Sequence, residues 1–172
     1  HNFKVFSQAD FDVSSCPETG MSFVENAILK AQNAARITGK AAIADDSGIA
    51  VDALKGAPGI YSARYAGENA SEEDNLRKLI DDLKASGANV VSCRFICVMV
   101  FVEDEKDPLP VICEGIWEGQ LITEPRGQNG FGYDPIFWLP DYQRTSAELS
   151  PTEKNAISHR AIALSKLVER LS

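Results

Sequence analysis

Two adjacent acidic residues, Asp45 and Asp46, follow a short apolar run and are followed at once by Ser47 and a glycine. Like charges in contact repel, and burying a carboxylate is costly unless a cation compensates it. Mg²⁺ prefers hard oxygen ligands and keeps several waters, so one or two carboxylates suffice to bind it. Asp45, Asp46 and the upstream Glu18 are therefore candidate metal ligands, and a plain acidic turn is the alternative interpretation.

A lysine in the predicted first helix, Lys30, lies about one turn from Asn26 and from Asn33. Residues at this spacing share one face of a helix, so the three form a polar strip on a helix that is otherwise apolar. Lys30 is a candidate contact for phosphate. A solvated surface lysine is the alternative interpretation.

The segment GQNGFGYDP places Gly130 and Gly132 on either side of Phe131. The glycines allow the backbone to turn tightly and to expose an aromatic ring, which can stack on a purine. Asp134 is suited either to accept a hydrogen bond from a base N–H or to fix the loop. The alternative is that Phe131 and Tyr133 simply pack into the core.

Polar and basic side chains crowd the opening turns of the predicted last helix, at Lys154, Ser158, His159 and Arg160. On an ideal helix the last three cannot all face one ligand, so a surface cluster is the alternative to a binding site. A neutral histidine and a cationic arginine would suit the carbonyl oxygens of an oxidised purine, because those oxygens need donors.

Several common catalytic patterns are absent from the sequence. It contains no Walker A motif, no G-x-G-x-x-G after a strand and no G-x-S-x-G elbow. Two histidines and four cysteines without a C-x-x-C pair argue against a zinc site, and the cysteines are expected to be buried thiols in a reducing cytoplasm. Metal and carboxylate chemistry is the simplest enzymatic interpretation that remains.

The bulk composition is that of one ordinary globular domain. The chain has 172 residues, of which 44% are hydrophobic and 24% are charged, and this is enough for a full core. The net charge of −8 argues against a broad nucleic-acid surface, which needs clustered lysine and arginine. No apolar run approaches the roughly 18 residues that cross a bilayer, so no membrane partner is expected.

Helix and strand signals alternate early in the chain and predict an α/β fold, with a mixed sheet and helices packed against it. The predicted strands include residues 3–6, 40–44, 48–54, 88–104 and 111–122, with the acidic pair in a turn between the second and the third.

Capping residues mark the predicted helices. Ser22 and Gly39 bound the first, and Ser71 begins the second. Ser150 begins a single last helix, which is expected to bury Ile157, Ala161, Leu164, Val168 and Leu171.

Four stretches, in this order, resemble the inosine triphosphate pyrophosphatase family, also called the Ham1 family. They are ETGMSFVENAILKA, IADDSGIAVDALKGAPGIYSARYAG, GFGYDPIF and LSPTEKNAISHRAIAL. The likeness runs from about Glu18 to the C-terminus, and the bacterial branch is the most similar.

This resemblance implies Mg²⁺-dependent hydrolysis of ITP, dITP and XTP to the monophosphate and pyrophosphate, which cleanses the nucleotide pool. It also implies a cytoplasmic homodimer. The family fold is elongated α/β, with two lobes around a central nucleotide cleft. Two other functions stay open, a non-catalytic module that binds purine nucleotides and a metal-dependent nucleotide phosphatase.

The resemblance also implies roles for individual residues. Asp46 matches a metal-binding aspartate and proton acceptor, Ser47 matches a substrate contact, and Lys30 matches a lysine that meets the phosphates. The residues that match the base-binding loop and the helix closing on the base are Phe131, Gly132, Tyr133, Asp134, Lys154, His159 and Arg160.

The beginning of the chain departs from the family pattern. The family opens with a strand and a T-x-N-x-x-K phosphate-binding loop, whereas residues 1–8 here look like its second strand. Residues 1–172 are therefore expected to form one pyrophosphatase domain that lacks the family's N-terminal strand and loop.

Overall fold

A five-stranded sheet and four α-helices form the regular structure in the part of the chain that the computed structural model describes, residues 3–87 and 90–172. The strands are β1 (Ala42–Val51), β2 (Val90–Val102), β3 (Val111–Ile122), β4 (Phe137–Leu139) and β5 (Arg144–Thr145). The helices are α1 (Phe23–Thr38), α2 (Glu72–Ala85), α3 (Pro151–Ile157) and α4 (His159–Leu171). The predicted α/β class is confirmed.

Neighbouring strands in the sheet follow chain order, β1-β2-β3-β4-β5. The pairs β3–β4 and β4–β5 are antiparallel, with Gln120 opposite Trp138 and Trp138 opposite Thr145. None of the helices in the described residues combines the length and the apolar character that a membrane crossing requires.

The chain divides into two compact units. Unit one contains the described residues up to Asp46 together with 97–115 and 162–172, and unit two contains 47–96 and 116–161. In unit one the small residues Ala27, Ala31 and Ala35 bury one face of α1. Unit two has a large apolar core, built from Ile49, Val51, Leu79, Leu83, Cys93, Phe95, Trp117, Leu121, Tyr133, Ile136, Phe137, Leu139 and Leu149.

The capping signals of the first two helices are confirmed. Ser22 accepts a hydrogen bond from the Glu25 N–H, and Gly39 ends α1 in a left-handed conformation with φ of 64°. At α2, Ser71 and Asp74 form a reciprocal capping box.

Two predictions about strands are wrong. Residues 3–6 carry no strand, and the acidic pair forms no turn, because β1 runs without interruption from Ala42 to Val51. Partners from elsewhere in the chain accommodate the two charges within the strand, and a local reading of the sequence could not include them.

The prediction of one continuous last helix is also wrong. Ser158 adopts an extended conformation (φ −70°, ψ 161°) and separates α3 from α4. Its hydroxyl accepts from the Ala161 N–H, so Ser158 caps the second helix. The break changes the buried face. Ala163 and Leu167 are buried, whereas the predicted Leu164 and Val168 are exposed.

Candidate functional site

The acidic group in unit one is organised around the ammonium group of Lys30. This lysine projects from α1, and its Nζ lies 2.7 Å from Asp46 Oδ1 and 2.7 Å from Glu18 Oε1. It also donates to the Asp45 carbonyl at 3.1 Å. Asn26, one turn earlier on α1, donates from Nδ2 to Asp46 Oδ2 at 3.3 Å. Two of the three polar residues on this face of α1, Asn26 and Lys30, therefore bind Asp46.

Burial sets the electrostatics of this group. Asp46 is only 7% exposed, and burial raises the pKa of its carboxyl although hydrogen bonds from Lys30 and Asn26 oppose the rise. Burial alone would lower the pKa of Lys30, but hydrogen bonds to Asp46 and Glu18 outweigh it and raise that pKa. Two carboxylates share one ammonium, so the group keeps a net negative charge that attracts cations.

Asp45 lies differently from its neighbour. Successive side chains of a strand point to opposite faces, and the Asp45 carboxylate lies 3.8 Å from the buried Cys97 thiol. Its carbonyl oxygen, not its carboxylate, contacts Lys30. The predicted set of metal ligands required the carboxylates of Asp45, Glu18 and Asp46 to lie together. In the structure the Asp45 carboxylate lies apart from the other two.

The donor set of unit one fits magnesium better than a metal that needs many protein ligands. Among the described residues, no group of three or more His, Cys, Asp or Glu side chains is placed to hold a metal ion. Mg²⁺ needs only one or two carboxylates, because water and substrate phosphates complete its shell. Glu18 and Asp46, held by the same ammonium, are such a pair.

An exposed aromatic ring is the centre of the candidate site in unit two. Phe131 is 53% exposed at the tip of its loop. The Lys154 Nζ lies 4.7 Å from the centroid of this ring, and the Arg160 Cζ lies 5.4 Å from it. Both distances are those of cation–π contacts. The alternative that Phe131 packs in the core is wrong, so the ring is available to a ligand.

The carboxylate of Asp134 supports this loop from below. It is 1% exposed, and its oxygens accept from the Phe131 N–H at 2.8 Å, from the Ser146 hydroxyl at 2.8 Å and from Lys154. A buried charge with these partners acts as a structural centre. Asp134 thus fixes the loop, which is one of the two roles open from the sequence.

Gly130 is essential to this packing. Its φ is +79°, and a Cβ atom there would lie 2.1 Å from Asp134 Oδ2. Gly132 also has a positive φ, of +57°, but a Cβ there would meet nothing within 4 Å. Gly130→Ala should therefore destabilise the protein by about 2 kcal/mol or more, and Gly132→Ala by about 1 kcal/mol. Urea unfolding measures the free energy of unfolding of both variants. Equal losses of this free energy would contradict the close approach of Gly130 to Asp134.

Tyr133 belongs to the core rather than to the exposed tip. Its ring is buried, and its hydroxyl donates to the Ser62 carbonyl at 2.8 Å. Burial raises the pKa of this hydroxyl well above its usual value. The alternative of core packing is thus correct for Tyr133 and wrong for Phe131. The tyrosine anchors the loop that displays its neighbour.

The break at Ser158 brings Arg160 to the ring. Arg160 donates to the Ser47 hydroxyl at 2.9 Å while its guanidinium lies against Phe131. Lys154 reaches the same ring from α3. The continuous helix predicted from the sequence lacks this break, so it would place Arg160 differently relative to Lys154.

His159 is a buried aromatic side chain in unit two. It is 5% exposed and stacks on Phe95, with ring centroids 4.8 Å apart and an interplanar angle of 11°. The centroid of the Trp117 ring lies 6.3 Å from that of His159. Among the described residues the buried Nδ1 has no hydrogen-bond partner. The predicted neutral histidine is therefore present, but as part of the aromatic core.

The burial of His159 should make folding stability depend on pH. Burial, followed by Arg160 and Lys154, lowers its pKa from 6.5 to about 3. Between pH 6.5 and pH 3 the imidazole therefore binds a proton in the unfolded chain but not in the folded chain. The free energy of unfolding is highest above pH 6.5 and falls as the pH is lowered toward 3. Between pH 6.5 and 5 the loss should be about 1.5 kcal/mol.

Urea unfolding at several pH values measures this loss, and His159→Gln is the control because glutamine does not titrate. The substitution should flatten the pH dependence over this range. An equally steep decline in the variant would show that other groups cause it.

Comparison with known proteins shows the family of this chain. A family model described as "Ham1 family" matches residues 1–170. The chain belongs to the Ham1 family. It is 53% identical over 169 residues to a protein of Photobacterium profundum named "dITP/XTP pyrophosphatase", covering 98% of this chain and 86% of that relative. A Coxiella burnetii protein of the same name is 53% identical over 164 residues, or 95% of this chain and 82% of its own length.

Solved Ham1 structures have the same fold. The HAM1 protein from Coxiella burnetii matches with a TM-score of 0.91 and 53% identity, over 95% of this chain and 83% of that one. The Staphylococcus aureus Ham1 protein matches with a TM-score of 0.82 and 45% identity, over 95% and 81% of the two chains. The predicted resemblance to the Ham1 family is confirmed.

Two residues of the candidate site in this Ham1 protein were not predicted from the sequence. Ser146 binds the Asp134 carboxylate, and Glu72 accepts from the Gly132 N–H at 3.0 Å. Glu72 opens α2, sixty residues from its partner. Neither residue lies in a recognisable motif, so no signal in the sequence alone identifies them.

Proposed function

We propose that this chain hydrolyses dITP, XTP and ITP to the nucleoside monophosphate and pyrophosphate. The observation that carries the proposal is the 53% identity, over 98% of the chain, to a relative named "dITP/XTP pyrophosphatase". Two groups of side chains support it. One is anionic and suits a metal bound to phosphate, and the other is aromatic and cationic and suits a purine with carbonyl oxygens.

Asp46 and Glu18 are the proposed ligands of Mg²⁺ in unit one, because both are hard oxygen donors held by one ammonium. When bound, the ion neutralises phosphate charge and polarises the phosphorus–oxygen bonds. Asp45 leaves the proposed set, since its carboxylate lies beside Cys97.

Asp46 is also the proposed general base. A carboxylate can orient an attacking water and accept a proton from it. Asn26 and Lys30 fix both of its oxygens, so the carboxylate is oriented before substrate arrives. Lys30 carries the positive charge that would stabilise the departing pyrophosphate.

The exposed face of Phe131 is the proposed stacking surface for the base. Stacking on an aromatic ring contributes about 1–3 kcal/mol for a base. Lys154 and Arg160, both against this ring, supply donors for the 6-oxo group of hypoxanthine or xanthine. Adenine presents a donor amine at the same position and would leave them unpaired, which costs about 1–3 kcal/mol per buried group.

Other residues of unit two act as supports in this proposal. Ser47 orients Arg160, Asp134 orients Lys154 and the loop, and Tyr133 anchors the loop to the core. His159 stacks in the aromatic core, where burial keeps it neutral.

Steady-state kinetics with Mg²⁺ on ITP, dITP, XTP, GTP and ATP test this function. The proposal expects kcat/KM to be about a hundredfold higher for the first three than for ATP, because one or two unpaired donors penalise adenine. Equal rates on ATP and ITP, or binding of ITP without turnover, would contradict it.

A further inference from the structure

Glu72 lies far from Phe131 in the sequence but contacts its loop. Its Oε2 accepts a hydrogen bond from the Gly132 N–H at 3.0 Å, across sixty residues of sequence. A carboxylate that accepts from a backbone N–H forms a charge-assisted bond, which is stronger than a neutral one. The bond joins the residue next to the exposed ring to the first residue of α2.

The two sides of the loop are already held by contacts to other segments of unit two. Before the tip, Asn129 donates from its backbone to the Ala147 carbonyl and from its side chain to the Leu149 carbonyl, both at 3.0 Å. After the tip, the buried Tyr133 donates to Ser62. The bond of the Phe131 N–H to Asp134 stays within the loop. Glu72 adds a contact at Gly132, which lies between the residues that these bonds hold.

The tip needs such a restraint, and α2 is a firm support for it. Gly132 has a φ of +57°, and a Cβ built there would meet nothing within 4 Å, so no close packing selects this conformation. Glu72 begins a capped helix whose Leu79 and Leu83 are fully buried. The carboxylate of Glu72 therefore ties Gly132 to the start of α2 and restrains its backbone.

We propose that Glu72 is a positioning residue for the base site: through the Gly132 N–H it holds the Phe131 ring in the orientation that receives a purine. This inference rests on the proposed function and extends it to a residue that contacts the loop rather than the base. Loss of the bond would leave the loop in place but let its tip change orientation. We expect the loss of affinity to appear in KM, because the residues proposed for the chemical step belong to unit one.

Three variants at the start of α2 test the proposal. Glu72→Ala should raise KM for ITP about fivefold or more while kcat stays within about twofold. Glu73→Ala is the matched control, since Glu73 lies in the same helical turn and pairs with Arg77 on the surface. It removes the same charge near the helix N-terminus and should leave KM unchanged. Glu72→Gln retains an acceptor oxygen and should restore most of the affinity.

The melting temperatures separate positioning from a purely structural role. Glu72→Ala and Glu73→Ala should melt at similar temperatures, because both lose one acid from the first turn of α2. A much lower melting temperature for Glu72→Ala, with losses in both kcat and KM, would overturn the proposal. So would a KM equal to that of Glu73→Ala, or a Glu72→Gln variant as impaired as Glu72→Ala.

Nuclear magnetic resonance of the free protein tests the contact without any assay of activity. In ¹⁵N-resolved spectra, the Gly132 and Phe131 amide signals should move in Glu72→Ala and stay in place in Glu73→Ala. Unmoved signals would overturn the inference even if the protein hydrolyses ITP. Moved signals in a protein that fails to hydrolyse ITP would refute the proposed function while confirming the contact between Glu72 and the loop.

Discussion

Asp46→Asn should lower kcat on ITP by about 10²–10⁴-fold, the usual contribution of a positioned general base. The amide has nearly the shape of the carboxylate, but its single oxygen can accept from Lys30 or from Asn26 and not from both. It also binds Mg²⁺ weakly and accepts no proton. Because Asp46 is buried in unit one and not part of the aromatic group, affinity for the purine should change little. Steady-state kinetics on ITP measures the first effect, and equilibrium dialysis of inosine, which has no phosphate for the metal, measures the second.

The adjacent residue provides the matched control. Asp45→Asn makes the same chemical change one position earlier in β1, where the side chain lies beside Cys97. Its kcat should stay within about threefold of the unsubstituted protein, since its contact to Lys30 uses the unaltered carbonyl. Equal losses in the two variants would show that acidity of the segment matters rather than the carboxylate of Asp46.

Phe131→Ala should reduce kcat/KM for ITP by about 10–100-fold, mainly through KM. The substitution removes a stacking contact that contributes about 1–3 kcal/mol. It also removes the ring that both Lys154 and Arg160 contact. The ring is more than half exposed, so the melting temperature should change little. Kinetics and thermal unfolding of the same preparation measure both quantities.

A larger aromatic ring at this position distinguishes stacking from packing. Phe131→Trp keeps a flat π-surface for the base and for both cations, so it should retain most of the affinity that alanine loses. A tryptophan variant as weak as the alanine variant, or an alanine variant with unchanged KM, would contradict stacking of the base on this ring.

Much of the helical structure could be predicted because its signals are local. The Ser22 and Ser71 caps and the Gly39 stop act within one turn of the chain, and the structure has helices at these places. The long β2 strand could likewise be read from its run of β-branched and aromatic residues.

The errors arise where distant contacts decide the local conformation. The pair Asp45 and Asp46 has the composition of a turn, yet β1 continues through it because Lys30 neutralises one charge and Asn26 binds it further. The apolar periodicity after Ser150 predicts one helix, although Ser158 offers a second cap that ends the first helix and begins another. Periodicity alone does not report such a break.

The candidate site shows the same division. Phe131 and its two glycines form a visible motif, but whether each aromatic ring is exposed depends on partners such as Ser62, which holds Tyr133 in the core. Ser146 and Glu72 support the loop through single hydrogen bonds from elsewhere in the chain. Such contacts depend on the tertiary structure and leave no pattern in a single sequence.

The most direct test of the account is ³¹P nuclear magnetic resonance of ITP incubated with the protein and Mg²⁺. The proposed function requires the bond between the α- and β-phosphates to break, so the spectrum should show IMP and pyrophosphate appearing in equal amounts. Appearance of IDP with orthophosphate, or an ITP spectrum that does not change, would contradict it.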